Sequence, residues 1–388
     1  MPNTNVVKKF NFNGQKFYIG LDVHKKSWTV TIRSQGLRIA HFTQPPNAET
    51  LVNYLSKNFP GGVYFSAYEA GFSGTHAHEK LCLLGIQNII FHAADLPSTD
   101  KQKKNKNDFH DSRYIAEQLE HQKLKPIHIL SAEKQQLRAL FRFREGKVRD
   151  VTRANNRLKS FMMLFGITLP ENLNGDRLSI KALKWLSNLN LQSEAGSLTI
   201  KQHVNEVMHQ RKQVFELTKQ LRHQINSTNL SAYQSLLSVP GIGAITAMGL
   251  IAEIVDFSRF KNSSDFCSYL GLCPWEDSSG DKMRTKGMQP RCNKHLRPLI
   301  IEASWTAIRN SPQLFHYYSK HAKKGPTKAI VKVARKIALM AKALVLKNEL
   351  YDVKYYSFGE TINESKKPDE RFSSGIAEKH QKEQSGVA

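Results

Sequence analysis

Ile200, Val204, Val207, Arg211, Val214, Thr218, Leu221 and Ile225 follow one another at alternating steps of four and three. This is a heptad seam held for nearly four heptads, with Arg211 and Thr218 as polar breaks. It predicts a helix over residues 197–227 that must lay its stripe against another helix. Ser131 can cap a long helix reaching about Phe165, before Pro170 and "ENLNGD" interrupt the chain. Residues 131–228 therefore read as a helical hairpin or coiled coil. The seam is expected to join protomers, with packing inside the chain as the alternative.

Residues 1–125 follow a different period. "FYIGLDVHKKSWTVTIR" is two β-rich runs around a polar turn, hence a hairpin, and "LRIAHF" adds a third strand. "NAETLVNYLSKNF" predicts a helix capped by Asn47, and "GGVYFSAYEA" a strand ending at Glu69. "GTHAHEKLCLLG" predicts a helix closed by Gly85, followed by a strand in "IQNIIFHA". Strands alternating with helices imply an α/β sheet with parallel members and covered faces. Residues 232–350 form a further, mostly helical unit, and the polar stretch 357–388 is expected to be disordered.

Lys and Arg number 57 against 33 Asp and Glu, a net charge of +24. An excess of this size favours a polyanionic partner, nucleic acid above all, over an ordinary basic soluble protein. Cys82, Cys267, Cys273 and Cys292 contain no C-x-x-C pair, which argues against a disulfide framework or a standard zinc site. Neither a signal-peptide pattern nor an apolar run of about 18 residues occurs, so a cytoplasmic chain without a membrane partner is expected.

Four carboxylates stand out in the first region. Asp22 interrupts an apolar strand, where it is costly to bury without a cation, and Glu69 ends another strand. Asp108 and Asp111, three apart at a helix start, share a face. Dipole capping would suit the last two equally well, but four acids converging from two strands and a helix start suit Mg²⁺ or Mn²⁺. Lys101–Lys106, "KQKKNK", would suit nucleic acid nearby.

Elsewhere the signals are cationic. Arg138, Arg142, Arg149, Arg153 and Arg157 lie near one face of the first long helix, either a solvated face or an anion-binding stripe. "VPGIGAITA" resembles a helix-hairpin-helix turn in which Gly241 and Gly243 expose backbone N–H groups to a phosphate; the plain alternative is a tight turn between packed helices. "CPWEDSSGDKMRTKGMQPRCNKHLRP" sets Ser278 and Ser279 before Gly280, in a polar turn expected to lead into a basic helix. Lys282, Arg284, Arg291 and Lys294 follow, suited to gripping phosphates or to neutralising a phosphoryl transition state.

"YIGLDVHKKSW", "YEAGFSG", "KNDFHDSRYIAEQL" and "LLSVPGIGAITA" followed by "SYLGLCPWEDSSG" resemble the IS110/IS1111 family of transposases, the bridge-RNA-guided recombinases. The resemblance runs in order to about residue 325. It implies an N-terminal RuvC-like (RNase H-like) domain, a coiled-coil middle and a mostly α C-terminal transposase domain with the helix-hairpin-helix-like element. The family's D-E-D-D tetrad falls on Asp22, Glu69, Asp108 and Asp111, and its nucleophilic serine on Ser279, with Ser278 adjacent. The family often carries a basic pair between its last two acids, as in K-T-D-R-R-D-A; Phe109 and His110 stand there in this chain. Also implied are a covalent phosphoserine–DNA link, donor and target double-stranded DNA, a structured non-coding bridge RNA and a homo-oligomer, dimer or tetramer, associated with the nucleoid when bound to DNA. Two rivals remain at this stage: a metal-dependent nuclease or Holliday-junction resolvase using the tetrad alone, and a non-catalytic helix-hairpin-helix nucleic-acid-binding protein.

Overall fold

A computed structural model of the chain describes residues 11–71, 73–95, 108–175, 177–279, 282–323 and 325–352; of 108–110, 276–279 and 282–286 it describes the backbone alone. The tail expected over 357–388 and the basic run Lys101–Lys106 lie outside the described residues. Backbone proximity divides the chain into two compact units, Met1–Ser131 and Ala132–Ala388.

In the first unit, β1 (Lys16–Val23), β2 (Trp28–Ser34) and β3 (Leu37–Gln44) form an antiparallel meander. Asn47 caps α1 (Ala48–Asn58), its side chain accepting from the Glu49 and Thr50 amides at 2.7 and 3.2 Å. β4 (Val63–Glu69) and β5 (Gln87–Phe91) run parallel to β1, giving the order β3-β2-β1-β4-β5. Between them comes α2 (His76–Leu83), followed by Gly85 in the left-handed region at a φ of 87°. α3 (Asp108–Glu120) lies beyond β5.

Strand alternation sorts this sheet into two buried faces. Phe17, Ile19 and Leu21 of β1 join Trp28, Val30, Ile32 and Tyr68 in a core with Leu51 and Leu55 of α1 and Leu81 of α2. On the other face, Ala67 and Phe91 pack with Ile115 and Leu119 of α3. Gly20 permits that approach, since a Cβ there would overlap the Ser112 carbonyl and the Ala116 amide. Thr31 Oγ1 and Ser112 Oγ, buried and 2.9 Å apart, pin the helix in register. This mixed sheet is compatible with a RuvC-like domain.

The second unit begins with α4 (Ala132–Leu164), α5 (Ile180–Ser187) and α6 (Glu194–Ser238), the last kinked at Asn229. The seam expected between protomers is filled from within the chain. Ile200, Val204 and Val207 are buried against Ala154, Leu158 and Met162 of α4 and Leu183 and Leu186 of α5. Leu221 and Ile225 join a second core with Phe141. The polar breaks are matched across the hairpin: Arg144 Nε donates to Thr218 Oγ1 at 3.0 Å, and Arg211 to Asn155 Oδ1 at 3.3 Å. Ile200, Val204, Val207, Leu221 and Ile225 are thus buried within the chain, while Val214 is half-buried.

α7 (Ala244–Ile254) and α8 (Ser263–Leu270) follow, then β6 (Pro274–Ser279) and β7 (Lys282–Met288), and finally α9 (Leu296–Asn310), α10 (Pro312–Ala322) and α11 (Pro326–Lys347). The stretch expected as a basic helix after the serines is thus an antiparallel hairpin, and helix begins only at Leu296. Among the described residues no helix is long and apolar enough to cross a membrane.

Candidate active site

β1 and β4 place two of the four acids side by side. Their parallel register sets Leu21 beside Tyr68, so Asp22 and Glu69 are the next residues along adjacent strands. Leu21 and Tyr68 belong to the α1/α2 face, so alternation assigns both acids to the face that α3 covers. Asp111 stands in the first turn of α3, exposed, beside the buried Ser112 that bonds to Thr31. The Gly20 contact and the Thr31–Ser112 bond therefore set the start of α3 against the acid-bearing strand ends. Asp108 opens the same helix, its side chain outside the described residues.

Asp22 keeps 19% of its side chain exposed, with His24 Nε2 at 3.0 Å from Oδ2. Glu69 is exposed at its strand end. The turn beyond it is held by Tyr68, whose hydroxyl donates to the Gly74 carbonyl at 2.9 Å and accepts from the His78 amide at 3.1 Å. Burial pushes that phenol up to about 12, so it stays a donor throughout the physiological range. Carboxylate oxygens from adjacent strand ends and a helix start are the donor chemistry a hard divalent cation takes. Among the described residues no three potential ligands converge closely enough to hold an ion.

The serines lie in the second unit. Ser279 ends β6 opposite Lys282, the first residue of β7, and Ser278 pairs with Met283. Arg284 pairs with Asp277. The side chains of Ser278, Ser279, Lys282 and Arg284 are outside the described residues. Arg291 and Lys294 are exposed on the segment that leads from β7 to α9.

The arginine stripe splits. Arg142 grips Glu253 with both arms, Nε to Oε1 at 2.6 Å and Nη2 to Oε2 at 2.8 Å, and Arg138 donates to the Glu253 carbonyl at 2.7 Å. Arg149 and Arg153 are exposed, with Arg153 Nη1 at 3.0 Å from Asp150 Oδ1. The glycine turn splits too. Gly241 has a φ of 85° and is packed so tightly that a Cβ would overlap the Ala303 carbonyl and the Ala307 amide. Gly243 caps α7 at a φ of −87° with nothing within 4 Å of the Cβ position.

Sequence reasoning missed Glu253. It is fully buried in α7, a helix otherwise almost wholly apolar, and that lone acid was the signal. Besides Arg142 and Arg138, the Asn293 amide donates to Glu253 Oε2 at 2.8 Å, and the Tyr269 hydroxyl donates to its carbonyl at 3.0 Å. Burial alone would raise the Glu253 carboxyl; hydrogen bonds from Arg142 and Asn293, with the charges of Arg142 and Arg138, hold it below the ordinary value.

Comparison with known proteins identifies the class these features define. Residues 19–166 match a family described as a transposase of the DEDD IS110 type, and residues 233–319 match the "Transposase IS116/IS110/IS902 family". The chain belongs to the IS110/IS1111 family of transposases. It is 28% identical over 208 residues to the transposase for insertion sequence element IS1328 of Yersinia enterocolitica, covering 52% of this chain and 59% of that protein. It is 27% identical over 260 residues to the transposase for insertion sequence element IS1111A of Coxiella burnetii, covering 64% and 69%. The pilin gene-inverting protein of Moraxella bovis is 29% identical over 170 residues, covering 42% and 52%.

Proposed function

We propose that the chain is an RNA-guided DNA recombinase that moves an insertion sequence by cutting and rejoining strands through Ser279. The observation that carries the proposal is the placement of Asp22, Glu69 and the start of α3 at one end of a mixed sheet, in a chain of a transposase family. The serine hairpin lies in the second unit. A relative named for inverting a pilin gene favours rejoining over hydrolysis, and so favours the recombinase over a metal-only nuclease.

In the chemical step, Ser279 Oγ loses its proton and attacks the phosphorus of a phosphodiester. The bond from phosphorus to the leaving strand's oxygen breaks, and that oxygen takes up a proton. The phosphoserine ester conserves the bond, so a second strand's hydroxyl can reverse the step and restore a phosphodiester without ATP. Asp22, Glu69, Asp108 and Asp111 would hold Mg²⁺ or Mn²⁺, which when bound supplies Lewis-acid polarisation of the phosphate. Lys282, Arg284, Arg291 and Lys294 would grip the phosphates flanking the reacting one. Arg149, Arg153 and the open backbone at Gly243 would hold nucleic acid further off.

The guide is a structured non-coding RNA whose pairing with donor and target DNA supplies sequence choice, and the charge of +24 suits so much phosphate. The active assembly is a homo-oligomer. Strand exchange with the element's own RNA and DNA tests the reading. Asp22→Asn should abolish exchange and leave RNA binding intact; exchange at the wild-type rate would remove the acids from the chemistry.

A further inference from the structure

Glu253 does more than fill a core. The β7 side of the β6–β7 hairpin's base is tied into the polar cluster around it through Asn293, and the β6 side is tied to the β7 side through Gln289. Beyond β7, the Asn293 side-chain amide donates to Glu253 Oε2 at 2.8 Å and to the Tyr269 hydroxyl at 2.9 Å. Asn293 Oδ1 accepts from the His295 and Leu296 amides at 3.0 and 3.1 Å and so starts α9. The Asn293 backbone amide donates to the Tyr269 carbonyl at 2.8 Å. Before β6, the Cys273 carbonyl accepts from the Gln289 amide at 3.1 Å, closing the hairpin's base. Gln289 is also held by Ser268 Oγ at 3.1 Å, and its carbonyl accepts from Arg297. On its far side Glu253 is gripped by Arg142 of α4, the residue after Phe141, which packs against Gly249 one turn before Glu253 in α7.

A buried carboxylate is a poor way to stabilise a helical core, because apolar residues of similar size are often equal or better. Its advantage is a fixed geometry, since every partner must keep its place for the charge to stay satisfied. We propose that Glu253 is a positioning residue that fixes, through Asn293, the base of the hairpin bearing Ser279, and couples that base to the long helix α4 through Arg142. This rests on the reading of Ser279 as nucleophile. Glu253 touches no reacting atom; it sets where the hairpin stands.

The test compares Glu253→Gln with Phe141→Leu, which loosens the same α4–α7 contact without touching the polar cluster. Both are assayed as full chains with RNA and a duplex carrying the element's joined ends. At saturating duplex, Glu253→Gln should slow single-turnover formation of the covalent adduct by about 10–100-fold, with duplex affinity unchanged. Phe141→Leu, at an equal or larger loss of Tm, should keep the wild-type rate. Equal slowing by the two variants, or an unslowed Glu253→Gln, overturns the proposal. Hydrogen exchange at the Gln289 and Asn293 amides reads the clamp without chemistry. Faster exchange in Glu253→Gln alone supports it and unchanged exchange overturns it, even if the wild-type chain forms no adduct and the nucleophile reading itself falls.

Discussion

Gly20→Ala probes how the helix that carries Asp111 is seated on the sheet that carries Asp22 and Glu69. The new methyl would meet the Ser112 carbonyl and the Ala116 amide of α3, both backbone atoms. No rotamer change can relieve that overlap, so the helix must move off the sheet. The move stretches the buried Thr31–Ser112 bond, now 2.9 Å, and carries Asp111 away from Asp22 and Glu69. Overpacking of this kind costs about 1–3 kcal/mol, and a strained buried hydrogen bond adds about 1 kcal/mol. For a domain of roughly a hundred residues this lowers Tm by about 8–20 °C. Differential scanning calorimetry gives the stability, and Mn²⁺ titration followed by water-proton relaxation gives metal affinity. Both should fall, and affinity should fall even at temperatures where the variant is fully folded. A variant with wild-type Tm and wild-type Mn²⁺ affinity would refute the claim that the Gly20 contact sets the acid site.

Gly241→Ala should destabilise the second unit, because its φ of 85° and the Ala303 and Ala307 backbone leave no room; Gly243→Ala should leave Tm unchanged and weaken duplex binding. Equal effects in calorimetry and gel shift would erase the distinction between the two glycines. Arg149→Ala should flatten the slope of log K against log salt by about 0.9 for each lost duplex phosphate contact at constant Tm. Arg142→Ala should instead lower stability by about 1–3 kcal/mol by withdrawing a partner from buried Glu253; a reversed pattern would exchange their roles. Because the Glu253 carboxyl is held below its ordinary value, its contribution is complete above the unfolded carboxylate pKa of about 4.3 and is lost as pH falls through the lower folded value. The Tm gap between wild type and Glu253→Gln should therefore close below about pH 4, and a gap constant down to pH 3 would contradict the assignment.

Much of the first unit was legible because its strands are short β-rich runs bounded by turns and its caps are local. Asn47 and Gly85 needed only their near neighbours. The four acids could be picked out by strand and helix position, but the seating of Asp111's helix on the sheet rests on Gly20, whose partner helix lies about ninety residues further on. The heptad seam gave the long helix and not its partner, since the same stripe can face α4 or a second copy. The β6–β7 hairpin was hidden because "EDSSGDKMRTK" has no apolar alternation to mark a strand. The Arg142–Glu253 pair spans 111 residues of sequence, so an arginine that looked like part of a phosphate stripe showed itself as the partner of a buried carboxylate only in three dimensions.

The most direct test of the central claim is the mass of the protein trapped on its DNA. A suicide duplex whose cleaved strand diffuses away should leave a covalent chain–DNA species, and protease digestion should map the phosphoester to Ser279. The Ser279→Ala variant should dock RNA and DNA and give no adduct. An adduct on Ser278 would move the nucleophile by one residue, and cleavage without any adduct, persisting in the double alanine variant, would contradict the serine mechanism and leave the acids to act alone.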